Sequence, residues 1–205
     1  MRRPAIDFYF EFASSYSYPA AMRIGALADA AGVTVRWRPF LLGPIFHAQG
    51  WDNSPFNLYP AKGRYMWRDV ARICARLDLP FRPPEPFPQW TLLPARVAYV
   101  GLDEGWGEDF CRAVYAAEFG EGRAVGEEAV VREVVGSLGI APEPVIARAR
   151  SAEIKARLRA VTEEAERAGV FGAPSFVTAA GELFWGQDRI AEALAWAMRP
   201  QAVPT

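Results

Sequence analysis

Asp7-Phe8-Tyr9-Phe10-Glu11-Phe12-Ala13-Ser14-Ser15-Tyr16-Ser17-Tyr18-Pro19-Ala20 changes its hydrophobic period in mid-course. From Ile6 to Phe12 the residues alternate, with Ile6, Phe8, Phe10 and Phe12 on one face and Asp7, Tyr9 and Glu11 on the other, which predicts a strand. Beyond Pro19 the apolar residues Ala21, Ile24, Leu27 and Ala28 recur at a helical spacing. Ser14, Ser15 and Ser17 therefore sit where strand gives way to helix. The first N–H groups of a helix lack intrahelical partners and lie at the positive end of its dipole, so an anion, a thiolate in particular, is stabilised beside Ser14. Capping the helix is the commoner use of serines in this position and accounts for one of them. It does not account for the aromatic strand before them, or for the proline-opened strand near the other end of the chain.

Working outward, Val33-Thr34-Val35-Arg36-Trp37-Arg38-Pro39-Phe40 alternates again and ends in proline, a second strand leaving the sheet. Strand, helix, strand predicts a parallel pair with a right-handed crossover. Leu41 to Pro60 reads as an irregular segment rich in Gly, Pro, Asn and aromatics, and Phe46, Trp51, Phe56 and Tyr59 mark it as functional rather than a linker. Ala61 to Gly169 reads as helical, interrupted by the proline-rich Leu79 to Pro88. Apolar stripes run through Tyr65–Ile73, Leu92–Leu102, Asp109–Phe119 and Glu127–Leu138, with one or two more helices in Pro142–Ala168, and all are assigned to core packing. Gly172 to Thr178, a Gly181 turn and Glu182 to Trp185 read as a hairpin, and Gln187 to Ala191 starts a last helix. The two sheet-forming ends bury their apolar faces only by sharing a four-stranded sheet. This divides the chain into a discontinuous sheet domain, 1–60 with 170–205, and a helical insertion, 61–169.

Composition narrows the function classes. With 205 residues and 51% hydrophobic content the chain can fill a core, and 23 basic against 24 acidic residues leave a formal charge of -1. No basic stripe marks a nucleic-acid or membrane partner; a small, partly apolar molecule fits better. No apolar run approaches a membrane span, and Met1-Arg2-Arg3-Pro4 leads into strand sequence without a signal-peptide core, so a cytoplasmic protein is expected. The two cysteines, Cys74 and Cys111, lie on helical stretches outside any Cys-x-x-Cys pair and read as buried thiols. One histidine, His47, and no His/Cys cluster leave no ligand set for zinc.

The arrangement resembles an α/β thioredoxin-like fold with a large helical insertion, as in the DsbA-like oxidoreductases. Ser14-Ser15-Tyr16-Ser17 stands where those carry Cys-x-x-Cys, so disulfide exchange has no nucleophile. A serine there is similar to the kappa-class glutathione transferases and the related 2-hydroxychromene-2-carboxylate isomerases. The likeness covers nearly the whole chain: Asp7-Phe8-Tyr9-Phe10 into the serine turn, Arg38-Pro39-Phe40-Leu41-Leu42-Gly43, Pro60-Ala61-Lys62-Gly63-Arg64-Tyr65-Met66, Phe171-Gly172-Ala173-Pro174 and Phe184-Trp185-Gly186-Gln187-Asp188-Arg189 occur in family order.

The resemblance implies glutathione as cofactor and Ser14 as the catalytic hydroxyl that hydrogen-bonds its sulfur; such a donor lowers the thiol's pKa. It implies that Asn53, Lys62, Ala173 ahead of a cis Pro174, Gln187 and Asp188 bind glutathione, Asp188 receiving the γ-glutamyl ammonium. Plainer readings stand beside these, a helix cap for Asp188 and an unpaired surface lysine for Lys62. On the substrate side, His47 falls where isomerase-like relatives carry a lysine, and Trp90 where asparagine is usual; both are departures. Leu42, Phe46, Trp51 and Trp90 would wall an aromatic ring. The implied activity is glutathione-dependent isomerisation of 2-hydroxychromene-2-carboxylate or a similar aromatic keto acid, with a homodimer as assembly. The alternatives are a kappa-like transferase or peroxidase, and a non-catalytic thioredoxin-fold binding protein.

Overall fold

β1 (Ala5–Phe10) is the alternating run at the start of the chain. Two short helices follow, α1 (Ser17–Ala21) and α2 (Ile24–Ala31), where the spacing predicts one. The break has a local cause. Arg23 N–H bonds Ala20 C=O at 3.1 Å, and Pro19 C=O is taken instead by the Arg23 side chain, whose Nε donates to it at 3.1 Å. Gly32, at φ 68°, ends α2 in the left-handed conformation that glycine adopts without steric cost. β2 (Thr34–Pro39) then runs parallel to β1, from Ala5 opposite Thr34 to Phe10 opposite Pro39.

The segment expected to be irregular contains α3 (Leu42–Ala48) and α4 (Pro55–Leu58). α3 has no cap of its own; its first-turn Leu42 N–H is met by the Glu11 carboxylate at 2.8 Å, from 31 residues upstream. α4 has a local cap, Ser54 Oγ accepting from Phe56 N–H at 3.3 Å, with Pro55 opening the helix. The helical stretch comprises α5 (Pro60–Arg76), α6 (Leu92–Glu104), α7 (Gly107–Tyr115) running into a π turn at Ala116–Gly120, α8 (Glu128–Ser137), α9 (Pro142–Ala149) and α10 (Ala152–Arg167). The chain closes with β3 (Ser175–Thr178), β4 (Leu183–Trp185), a 3-10 turn at Gln187–Arg189 and α11 (Ile190–Ala197). The computed structural model describes residues 3–199; Met1, Arg2 and residues 200–205, which fall within the expected sheet-domain ranges, lie outside the described residues.

The four strands form one sheet in the order β2-β1-β3-β4, with β3 antiparallel to both of its neighbours. Register decides which side chains meet. Phe8 stands opposite Trp37 and Phe176, so their rings share a face, with Phe8 5.4 Å from Phe176 and 5.1 Å from Trp37 between centroids. α7 packs on that face through Phe12–Tyr115 and Arg112 over Trp37, and α11 through Phe184–Trp196. The opposite face carries Tyr9 and Arg38, covered by α6, whose Tyr99 hydroxyl donates to Pro39 C=O at 2.6 Å, and by α10, whose Glu164 pairs with Arg38. β1 is thus buried on both faces. Each fully buried aromatic in it contributes on the order of 2–3 kcal/mol of burial energy. Among the described residues no helix is long and apolar enough to cross a membrane.

Candidate functional site

The junction after β1 is built on Ser14. Its N–H donates to Glu11 C=O at 2.9 Å, closing a turn, and its own C=O and Oγ both accept from Ser17 N–H, at 3.0 and 3.3 Å. The Ser14 hydroxyl then donates to Ala173 C=O at 2.9 Å. One side chain therefore caps the entry to α1 and ties it to the loop before β3. That loop contains the cis bond Ala173-Pro174, and Ser175 Oγ braces it by donating to Gly172 C=O at 2.8 Å. Gly172 lies so close to Trp185 that a Cβ on it would stand 2.5 Å from the indole Nε1. Phe171 stacks on the same indole at 5.0 Å.

A cavity of about 580 Å³ opens beside Ser14, within the roughly 300–1,000 Å³ range of small-molecule sites. Its lining is rich in aromatic residues. Tyr16 comes from the serine turn, with Phe56 of α4 6.2 Å from its ring; Phe46 and Trp51 pair at 5.6 Å; Phe171 and Trp185 come from the other end of the chain. Among the described lining residues Lys62 is the one cation and Glu11 the one carboxyl group. Lys62 Nζ lies 4.7 Å from the centroid of the Tyr59 ring, a cation–π contact at the start of α5.

Of the residues expected from sequence, Ser14, Asn53, Lys62, Ala173 and Trp90 line this cavity, as do Leu42, Phe46 and Trp51. Asn53 uses its Oδ1 locally, accepting from Ser54 N–H at 2.7 Å and Asn57 Nδ2 at 3.1 Å. Trp90 is 77% exposed and stands at the rim. Pro174 lies next to the lining residue Ala173 but outside the lining itself. Gln187 is buried elsewhere, its Oε1 accepting from Arg23 Nη2 at 2.8 Å. Asp188 is exposed, with Arg189 as its neighbouring charge at 3.7 Å, and His47 is exposed in the last turn of α3; neither is in the lining. Glu11, Tyr16, Phe171 and Trp185 are lining residues to which sequence reasoning assigned no role in the site. For Glu11 the available signal was its position three residues before Ser14 at the end of a strand.

Burial governs the ionisable groups. It pushes the Glu11 carboxyl up to about 7 from an ordinary 4.5, opposed by the bonds from Leu42 N–H and Thr91. Tyr16 is also raised, by burial and then by the charge of Asp69, and stays a neutral donor to Asp69 Oδ2 at 3.1 Å. Burial pushes the Cys74 thiol up to about 11 and the buried Cys111 well above its usual range, so neither supplies a thiolate nucleophile near neutral pH. Neither cysteine is among the residues that line the cavity.

The comparisons agree with the fold. The family model for the DSBA-like thioredoxin domain matches residues 5–195. The 2-hydroxychromene-2-carboxylate isomerase of Sphingobium xenophagum is 29% identical over 189 residues, covering 90% of this chain and 93% of that protein. The glutathione S-transferase kappa 1 of Caenorhabditis elegans is 39% identical over 88 residues, which is 42% of this chain and 38% of its own. The solved structure of a 2-hydroxychromene-2-carboxylate isomerase superposes with a TM-score of 0.84 at 27% identity, covering 95% of this chain and 94% of that one.

Proposed function

The chain belongs to the DSBA-like thioredoxin domain family, and from that premise we propose that it is a glutathione-dependent isomerase acting on 2-hydroxychromene-2-carboxylate or a similar aromatic keto acid. The observation that carries this reading is the Ser14 hydroxyl, placed between the start of α1 and Ala173 C=O, at the wall of an aromatic cavity with one lysine. The donor set fits glutathione: a hydroxyl for sulfur, a cation for a carboxylate, and peptide groups at Ala173 against which an extended tripeptide can lie. Asn53 joins them at the cavity wall. Glutathione, when bound, supplies a nucleophilic thiol able to add reversibly to an electron-poor carbon, with bond rotation in between.

The residues of the chain do the rest. Ser14 Oγ–H turns from Ala173 C=O to the sulfur and lowers the energy of its charged form. Lys62 pairs with a carboxylate. Phe46, Trp51, Trp90 and Trp185 hold a flat ring and keep water from it, so the reacting carbon is presented at a fixed distance from sulfur. The test is calorimetric titration of glutathione into the wild type and Ser14→Ala, with the thiol pKa of bound glutathione read from thiolate absorbance. Binding with a lowered thiol pKa that rises in Ser14→Ala is expected, followed by turnover of a chromene carboxylate. Absence of binding, or binding indifferent to Ser14, removes the reading and leaves a thioredoxin-fold binding protein.

A kappa-like transferase or peroxidase is the second reading, favoured by the 39% identity to the Caenorhabditis elegans kappa transferase over the shorter match. The two separate on stoichiometry. Isomerisation returns glutathione unchanged, whereas conjugation or peroxide reduction consumes it.

A further inference from the structure

Glu11 has surroundings that a helix cap alone does not require. The turn closed by Ser14 N–H to Glu11 C=O at 2.9 Å sets Glu11 and Ser14 on the same cavity wall. Glu11 Oε2 accepts from Leu42 N–H at 2.8 Å and the Thr91 hydroxyl is its other hydrogen-bonding neighbour, so a carboxylate with about four acceptor sites keeps room for a further partner on the cavity side. No salt bridge among the described residues involves Glu11. For capping α3, a neutral glutamine would serve as well and without the cost of burying a charge. The ionisable groups around it come from four elements: Lys62 of α5 across the cavity, Tyr16 of the serine turn already bonded to Asp69, Tyr115 of α7 whose hydroxyl donates to Glu11 C=O at 2.8 Å, and Glu118 of the π turn, which is fully buried. Leu42 of α3 brings a backbone N–H, and Thr91, the residue before α6, its hydroxyl. None of these neutralises Glu11 by direct contact.

We propose that the Glu11 carboxylate is the base that takes the thiol proton when glutathione binds at Ser14, and the acid that gives it back. This rests on the glutathione reading above. The S–H bond breaks with its electron pair left on sulfur, the proton forms an O–H bond at the Glu11 carboxylate, and nothing is oxidised or reduced. The negative charge moves from Glu11 to sulfur, so the cavity holds one anion before and after. In a low-dielectric site this avoids adding a second negative charge beside Glu11, and the Ser14 hydroxyl then holds the charge in its new place. A carboxyl raised to about 7 is matched to this exchange, because it is ionised in the free protein just above neutrality yet basic enough to accept a proton.

The experiment counts protons. Glutathione is titrated into the full chain, wild type and Glu11→Gln, at about pH 8, above the Glu11 value and below the roughly 8.5 of a free thiol. Buffers of different ionisation enthalpy give the protons released, and absorbance gives the thiolate formed. The wild type is expected to release close to no proton per thiolate. Glu11→Gln, whose amide oxygen still accepts from Leu42, is expected either to release close to one proton per thiolate or to bind glutathione as the thiol; both support the assignment. Equal release per thiolate in the two proteins overturns it while leaving the glutathione site standing. No binding, or binding without thiolate, in the wild type removes the glutathione reading itself. Should Glu11→Gln fail to fold, infrared difference spectra of the wild type decide: glutathione must bring up a protonated-carboxyl C=O band, and its absence overturns the proposal.

Discussion

Replacing Glu118 by methionine should stabilise the protein, and by an amount that grows with pH. Glu118 sits in the π turn that ends α7, 0% exposed, and neither carboxyl oxygen has a hydrogen-bond partner among the described residues. Burial raises its pKa well above the ordinary 4.5, and the nearby charge of Glu11 raises it further. Two effects follow. A buried polar group without partners costs roughly 1–3 kcal/mol, which an apolar side chain of similar length recovers at any pH. The second effect comes from linkage. Between 4.5 and the raised folded value, the unfolded chain has lost the Glu118 proton while the folded chain still holds it, so stability falls as pH rises. The slope is about 1.4 kcal/mol per pH unit while Glu118 stays protonated in the fold. The advantage of Glu118→Met, about 1–3 kcal/mol from the unpartnered oxygens alone, should therefore widen as pH rises above the ordinary carboxyl value, with that slope as its upper limit. Glu11 titrates in the same window, but it is present in both proteins and its direct share cancels in the difference. Urea unfolding of both proteins at pH 5, 6 and 7 measures the gap, and each kcal/mol corresponds to roughly 2–4 °C in Tm for a chain of this size. A gap that is flat with pH refutes the buried, protonated assignment of Glu118. A mutant less stable at every pH refutes the claim that its oxygens lack partners.

Two further substitutions test the frame around the cavity. Tyr99→Phe removes the 2.6 Å bond to Pro39 C=O that joins α6 to the end of β2, and should cost about 1–2 kcal/mol in urea unfolding while leaving glutathione affinity unchanged. Gly63→Ala would set a Cβ 2.3 Å from Phe56 C=O, so α4 must move off α5 and carry Phe56 away from the cavity wall. A loss of about 1–3 kcal/mol in stability together with weaker glutathione binding by calorimetry is expected.

The strands were legible because alternation is a local property: the runs quoted for β2 and the last hairpin each contain the strand that forms, β1 begins one residue before its run, and Phe8 meets Trp37 and Phe176 as shared-face residues must. Ser14 and Ala173 were legible because a hydroxyl at a strand-to-helix junction and a residue before a strand-opening proline carry their signals in a few positions. What escaped depends on partners far away in sequence. α3 exists with a cap donated by Glu11, and the first helix is split because Arg23 turns its side chain onto Pro19 C=O and then onto Gln187, 164 residues on. The same bond draws Gln187 away from the cavity, although its sequence context alone puts it beside Asp188 at a helix start. α4 is a different case, since its Ser54-Pro55 start signal is local and was passed over in a stretch read as loop.

Glu11 shows most clearly why a site is harder to read than a fold. Its position in the alternation assigns it to the polar face of a strand, and that assignment treats it as interchangeable with Asp7. Yet Asp7 meets Arg36 at 2.7 Å, whereas Glu11 meets only a backbone N–H and a threonine and has a buried acid behind it. The residue type is the same kind of acid in both places; burial raises the proton affinity of Glu11 and the bonds from Leu42 N–H and Thr91 oppose that rise, and these neighbours arrive from other parts of the chain. On the proposed reading, a motif locates where a thiol would be bound, as Ser14 does. It cannot state where that thiol's proton would go, because the acceptor is made by packing, and packing brings an unpaired carboxyl to the same wall as Ser14.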